Sequence, residues 1–214
     1  LLRHSQTSPC VRKVMVLIHE TGLVERVRTE MADGWAEPAA LTAENPLSMV
    51  PTLVLSDGTA LFDSPVVCEY LDAQHDGPRM IPPSGEPRWR VLREQALADG
   101  MLDAAVLIFM EEHKRLQEMR WDWWTQIKRQ AIQRSLDALE QTADGLVGRV
   151  DLGTIAVAVA LCYLDLRGAV GEWRNGRERL PASFDGGNST ACLRGLQVVI
   201  EKGRSIPTCS PSLS

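Results

Sequence analysis

The stretch that most constrains this chain is Asn45-Pro46-Leu47-Ser48-Met49-Val50-Pro51-Thr52-Leu53-Val54-Leu55, with Asp63-Ser64-Pro65 shortly after it. An Asn-Pro turn leads into a Val-Pro step that opens an apolar strand. Asp57-Gly58 then reverses the chain into a second strand over residues 59–62, which ends at a Ser-Pro helix start. Proline cannot donate to a strand ladder, so Pro51 belongs at a strand's first residue or on an edge. A cis Val50-Pro51 bond would turn the neighbouring N–H and C=O outward, toward an extended peptide ligand. Asp63-Ser64 falls at a helix N-terminus, where free N–H groups and the helix dipole favour a carboxylate. The unit therefore predicts a site for a small acidic peptide.

The surrounding pattern places this unit in a small α/β domain over residues 1–77. A short strand is expected at residues 1–4, then a helix starting at Ser8-Pro9, with Val11, Val14 and Ile18 at helical spacing and Gly22 as its stop. Val27, Thr29 and Met31 alternate as a strand does. The hairpin follows, and then a helix over residues 65–73. Residues 78–87, rich in proline and glycine, are expected to link two domains. Residues 88–175 read as all-helical. One long segment carries Trp89, Leu92, Ala96 and Leu107, and a second carries the stripe Ile132, Leu136 and Leu139. The apolar run 155–164 fits either a strand or a buried helix by period alone, and its helical neighbours favour the helix. From residue 176 to 214 the texture turns to Gly, Pro and Ser, with a short helix expected around Leu193, Leu196 and Ile200, and this tail is expected to be loose.

Composition narrows the functional class. A chain of 214 residues can bury a substantial core in one or two domains. A net charge of −5 argues against a general binder of nucleic acid or anionic membrane. The five cysteines, Cys10, Cys68, Cys162, Cys192 and Cys209, are scattered and form no C-x-x-C pair or zinc-spaced cluster. They point to a reduced, intracellular setting without a metal site. The longest apolar run is too short to cross a bilayer. The expectation is a soluble cytoplasmic protein.

The order of elements resembles the bacterial cytosolic glutathione transferases: a thioredoxin-like N-terminal domain followed by an all-α C-terminal domain. The resemblance rests on Thr7-Ser8-Pro9-Cys10-Val11-Arg12-Lys13-Val14, Asn45-Pro46 with Val50-Pro51, Asp63-Ser64, Glu69-Tyr70-Leu71-Asp72, Ala98-Asp99-Gly100, and 155–158 with Tyr163-Leu164-Asp165. It covers roughly residues 1–175 and implies a serine-type enzyme that joins the glutathione thiolate to a small hydrophobic electrophile, in the manner of detoxification. It also implies glutathione as co-substrate and a homodimer. Ser8 would stabilise the thiolate. Ser-Pro at the strand-to-helix turn makes it the stronger match, while a one-residue shift would exchange it with Thr7. Val50 would pair through its backbone with the cysteinyl part of glutathione beside a cis Pro51, and Asp63 and Ser64 would hold the γ-glutamyl end. Glutathione-dependent isomerisation or dehalogenation would use the same site. A non-catalytic relative that binds ligands or proteins is the alternative from another class.

Two departures from the family pattern stand out. Ser48-Met49 replaces a common Gly-Lys, removing a cation that would meet the glycyl carboxylate. Arg3, His4, Arg12 and Lys13 are the candidate substitutes. Asp151-Leu152-Gly153-Thr154 reverses the usual Ser/Thr-x-x-Asp order, which keeps an N-cap and is expected to lose the reciprocal acid of a capping box. Plainer roles are expected elsewhere: Cys10 as a half-buried thiol, Cys68 and Cys162 as core, Asp99 as a helix-packing group, and Trp121, Trp123 and Trp124 as packing or inter-helix cover.

Overall fold

None of the four strands exceeds three residues, so the sheet depends on the helices laid against it. A computed structural model of the chain describes residues 1–32 and 38–185. Strands β1 (Leu2–His4), β2 (Thr29–Met31), β3 (Thr52–Val54) and β4 (Ala60–Leu61) form one sheet in the order β2-β1-β3-β4. The β1–β2 pair is parallel, whereas β1–β3 and β3–β4 are antiparallel. Helix α1 (Pro9–Glu20) makes the crossover between the parallel strands and ends where Gly22 takes φ +69°, as its stop signal predicts. Helix α2 (Pro38–Glu44) precedes the Asn-Pro turn, and α3 (Ser64–Asp72) follows the hairpin. Sequence reasoning did not anticipate α2, which is too short to show a period.

The rest of the described chain is helical: α4 (Gly85–His113), α5 (Asp122–Gln141), α6 (Leu152–Arg167) and α7 (Arg179–Asp185). A thioredoxin-like sheet domain followed by a helical domain is therefore the fold, as expected. Helix α6 lies at the centre. Every residue of α6 up to Leu164 except Cys162 is buried, so its alternating Val and Ala pack on all sides of a helix and belong to no strand. Helices α4 and α1 both pack against it.

The two halves are joined by buried polar groups as well as apolar surface. The Lys13 ammonium on α1 is fully buried and lies 2.6 and 2.7 Å from the carboxylate oxygens of Asp99 on α4. Asp99 is thus a packing partner, as its place beside Gly100 suggests. Asp72, at the end of α3, accepts from the backbone N–H groups of Met80 (2.7 Å) and Ile81 (3.1 Å). The Met80 carbonyl in turn accepts from Leu152 N–H at 3.0 Å, tying the connector to the start of α6.

Three expectations are corrected here. The capping box of α6 is present: Asp151 accepts from Thr154 N–H at 3.0 Å, and the Thr154 hydroxyl accepts from Asp151 N–H at 3.1 Å. A hydroxyl at the fourth position does the work expected of an acid, so reversing the residues preserves the box. Trp121 and Trp123 pack on each other outside the core: both are more than half exposed, with ring centroids 5.0 Å apart, while Trp124 lies 6.2 Å from Trp121. Their helical period faces them away from the stripe of Ile132, Leu136 and Leu139, which is buried. Residues 179–185 form α7 with Leu180 fully buried, because the Glu140 carboxylate accepts from the N–H groups of Glu178, Arg179 and Leu180 at 3.1, 2.9 and 2.7 Å. The helix expected around Leu193, Leu196 and Ile200 lies outside the described residues, as do Cys192 and Cys209.

Candidate functional site

Sheet topology brings three chain segments to one edge. Because β3 is antiparallel to both β1 and β4, its start lies at the same end of the sheet as the ends of both neighbours. The β1–α1 turn bearing Thr7 and Ser8, the Val50-Pro51 step, and Asp63-Ser64 after β4 therefore emerge together. Electrostatics agree: Ser64 is among the groups that act on the Cys10 thiol on the first turn of α1.

Ser8 is the N-cap of α1, with its side-chain oxygen accepting from Val11 N–H at 3.3 Å. That bond uses a lone pair and leaves the hydroxyl proton free to donate. Thr7, one residue earlier, is exposed and makes no cap bond. The Val50-Pro51 bond is cis, and no hydrogen bond within the described chain occupies the Val50 N–H or C=O. Asp63 precedes α3 with an exposed carboxylate that makes no cap bond. Ser64 is buried at the first helical position, and Pro65 takes the place of one of the helix's free donors. On the facing α4, burial and the carboxylates of Asp99 and Asp63 push the Asp103 carboxyl up.

The loop that presents Val50 is held by Asn45, a residue whose side-chain role sequence reasoning missed. Asn45 is 1% exposed, and its amide nitrogen donates to the Met49 carbonyl (3.1 Å) and the Thr52 hydroxyl (2.9 Å). Its amide oxygen accepts from Leu47 N–H at 2.9 Å, closing an Asx turn, and Thr52 donates to Met49 at 2.8 Å. The Asn-Pro dipeptide was the available signal, since asparagine before proline commonly bonds the backbone two residues on.

Of the candidate substitutes for the missing lysine, Arg3 and Lys13 are held by carboxylates. Met49 is 62% exposed. Arg3 is held by Glu44 (Nε–Oε2 2.8 Å) and Glu30 across the sheet edge. Lys13 is committed to Asp99. Burial holds the His4 imidazole below its ordinary pKa, and Arg12 points to α6, where its electrostatic neighbours are Cys162 and Tyr163. Cys10 is no nucleophile at neutral pH: burial pushes its thiol up to about 11, against the opposing pull of Lys13. Cys68 is fully buried and is pushed up to about 12 by the same cause.

Comparison with known proteins places this geometry in context. A profile of the glutathione S-transferase N-terminal domain matches residues 7–74, the segment that holds all three parts of the edge. The uncharacterized GST-like protein YibF of Escherichia coli (strain K12) is 35% identical over 172 residues, which span 79% of this chain and 84% of that protein. The chain belongs to the glutathione transferase family. Two crystal structures of a glutathione transferase family member from Pseudomonas fluorescens Pf-5 each cover 91% of this chain and 97% of their own. One, with bound glutathione, superposes with a TM-score of 0.85 at 42% identity; the other, with bound S-(propanoic acid)-glutathione, has a TM-score of 0.81 at 41% identity. Among the described residues, no helix is long and apolar enough to cross a membrane.

Proposed function

We propose that this chain binds glutathione along the Val50–Ser64 edge and transfers its thiolate to a small hydrophobic electrophile. One observation carries the reading: the capped N-terminus of α1, the unpaired Val50 backbone and the N-terminus of α3 converge at one end of the sheet. Val50 offers one donor and one acceptor in line, which suits the cysteinyl backbone of an extended tripeptide. The N-terminus of α3 with the Ser64 N–H suits the γ-glutamyl carboxylate, and the outward Asp63 carboxylate suits its ammonium. The Ser8 hydroxyl, its oxygen already turned to Val11 N–H, donates to the sulfur. Together with the dipole of α1 this lowers the thiol pKa from about 8.5 and raises the thiolate fraction near neutrality. The bond to carbon is then made by a positioned nucleophile. Bound glutathione and S-(propanoic acid)-glutathione in the Pseudomonas relatives support the ligand assignment. Isomerisation and dehalogenation would start from the same bound thiolate. A cytoplasmic homodimer accompanies this reading.

The second reading is a glutathione-binding relative without turnover. It is favoured by Met49, which carries no charge where a lysine would meet the glycyl carboxylate, while Arg3 and Lys13 are both consumed by carboxylates. Calorimetric titration with glutathione, followed by conjugation of 1-chloro-2,4-dinitrobenzene, separates the two. Binding with turnover supports the transferase, binding without turnover supports the second reading, and no binding overturns both.

A further inference from the structure

One turn beyond Ser8, α1 carries a guanidinium that nothing in the described protein neutralises. Arg12 is 6% exposed, its buried Nε has no hydrogen-bond partner among the described residues, and no carboxylate pairs with it. Arginine cannot shed its proton to relieve such burial, so an unpaired guanidinium costs stability unless something on that face answers it. A second guanidinium stands nearby. Arg167, at the end of α6, lies among the electrostatic neighbours of Arg12 and opposes its charge. Arg167 is half-buried, donates from Nε to the Tyr163 hydroxyl at 3.2 Å, and has no carboxylate partner among the described residues. Its guanidinium carbon stacks 4.1 Å from the Phe109 ring centroid on α4 and 5.4 Å from that of Tyr163. The His113 ring stacks on Phe109, with centroids 4.6 Å apart. The carboxylates on adjacent turns are engaged elsewhere, Asp165 with Arg174 and Trp173, and Glu112 with Arg129. Two like charges share a partly desolvated corner lined by flat rings, in a chain whose net charge is negative.

We infer that Arg12 and Arg167 form an anion site for the second substrate, and that the electrophile is a small planar molecule bearing a carboxylate. This rests on the proposed transferase reading and gives it a substrate class. The guanidiniums answer the carboxylate with charge-assisted hydrogen bonds, and Phe109 and Tyr163 take the flat body. Arg12 N–H donates to the Ser8 carbonyl at 3.2 Å, so the backbone of Arg12 lies one helical turn, about 5.4 Å of rise, from that of the proposed thiolate donor. For a haloarene carboxylate the step is a substitution: the sulfur–carbon bond forms, the carbon–halogen bond breaks, halide leaves with the electron pair, and the thiol proton passes to solvent.

The test uses 4-chloro-3-nitrobenzoate and 4-chloro-3-nitrobenzamide, which differ in charge at nearly the same shape. Calorimetry without glutathione is expected to show the benzoate binding about 10-fold tighter than the amide, a preference that Arg167→Gln removes with the amide unaffected. Arg12→Gln is expected to do the same, and Arg167→Gln decides the matter if the Arg12 variant fails to fold. With glutathione present, the same preference is expected in KM for conjugation. Equal binding of benzoate and amide, or a preference surviving in Arg167→Gln, overturns the anion site. A separate titration with glutathione alone distinguishes the two ideas. Glutathione binding without the charge preference removes only the anion site. The charge preference without glutathione binding leaves the anion site standing and removes the transferase.

Discussion

The Lys13 ammonium, fully buried on α1, holds both carboxylate oxygens of Asp99 on α4 at 2.6 and 2.7 Å. This pair fixes the thioredoxin-like domain against the helical domain at the level of the candidate site, one residue from Arg12 and one turn from Asp103. Removing one partner strands a buried charge. Lys13→Met and Asp99→Leu are each expected to cost about 3 kcal/mol, and the double variant to regain most of the loss because two apolar side chains of similar volume can pack there. Urea unfolding curves of the four proteins check this. Losses that simply add in the double variant would show that the two groups act independently.

Ser8 caps a helix and is the proposed thiolate donor, so Ser8→Ala is expected to have two separable effects. Loss of the cap bond to Val11 costs about 1 kcal/mol of stability. Loss of a hydrogen bond to an anion lowers kcat/KM for conjugation by roughly 10- to 100-fold, with the glutathione thiol pKa in the complex raised. Ser8→Asp should restore the cap and not the activity. Thr7→Ala is expected to leave both nearly unchanged, as measured by thermal unfolding and steady-state kinetics.

Asn45 makes three hydrogen bonds that shape the loop before Pro51. Asn45→Ala leaves the Met49 carbonyl and Thr52 hydroxyl with fewer partners in a buried setting, at a cost of about 2 kcal/mol. Glutathione affinity should fall by more than the stability loss explains at temperatures where the variant is fully folded, because Val50 loses its fixed orientation. Titration calorimetry well below the melting temperature reads this. An unchanged dissociation constant would show that Val50 is positioned by the strand alone.

Gly153 sits where α6 starts beneath Glu94. A Cβ there would collide with the Glu94 carboxylate oxygen and come within 3.1 Å of its Cβ. Arg149 donates to that carboxylate at 3.0 and 2.7 Å and to Asp151 at 2.9 and 2.6 Å, so Glu94 is not free to swing away. Gly153→Ala is expected to lower stability by about 1–3 kcal/mol despite alanine's better helix propensity. In a domain of this size that is roughly 2–4 °C in Tm per kcal/mol by scanning calorimetry.

Cys10 lies in the middle of the site yet should be chemically quiet. With its thiol pushed up to about 11, the thiolate is about one part in 10⁴ at pH 7. Because the charged form is the disfavoured one, reactivity is absent at neutral pH and grows as pH rises toward 11. Alkylation by iodoacetamide, followed by mass spectrometry, is expected to accelerate nearly tenfold per pH unit between pH 7 and 9. Cys10→Ala should retain glutathione binding.

Elements whose signal is local were legible in the sequence. The Ser8-Pro9 start, the Gly22 stop, the Asp57-Gly58 hairpin and the Ser64-Pro65 start each depend on a few neighbouring dihedrals, and each appears where its chemistry puts it. Residues 155–164 were ambiguous because their period fits both helix and strand, and burial on every side resolved them as α6. Helix α2 was too short to register, and Trp121 and Trp123 could not be placed because helical phase relative to the core depends on α4 and α6.

What the amino-acid sequence determined by itself was the list of parts: a thioredoxin-like unit, a helical unit, and the turn residues Ser8, Val50-Pro51 and Asp63-Ser64. Those follow from backbone restrictions that proline, glycine and capping side chains impose on adjacent residues. Tertiary structure alone decided which charges remain available. Lys13 and Arg3 were both candidates to meet a glycyl carboxylate, and Asp99, Glu44 and Glu30 consume them. Arg12, another of those candidates and the neighbour of Lys13 on α1, is left unpaired against Arg167. A charge becomes functional or structural according to what the other chain segments bring within about 4 Å of it, and that distance is set only when the helices pack.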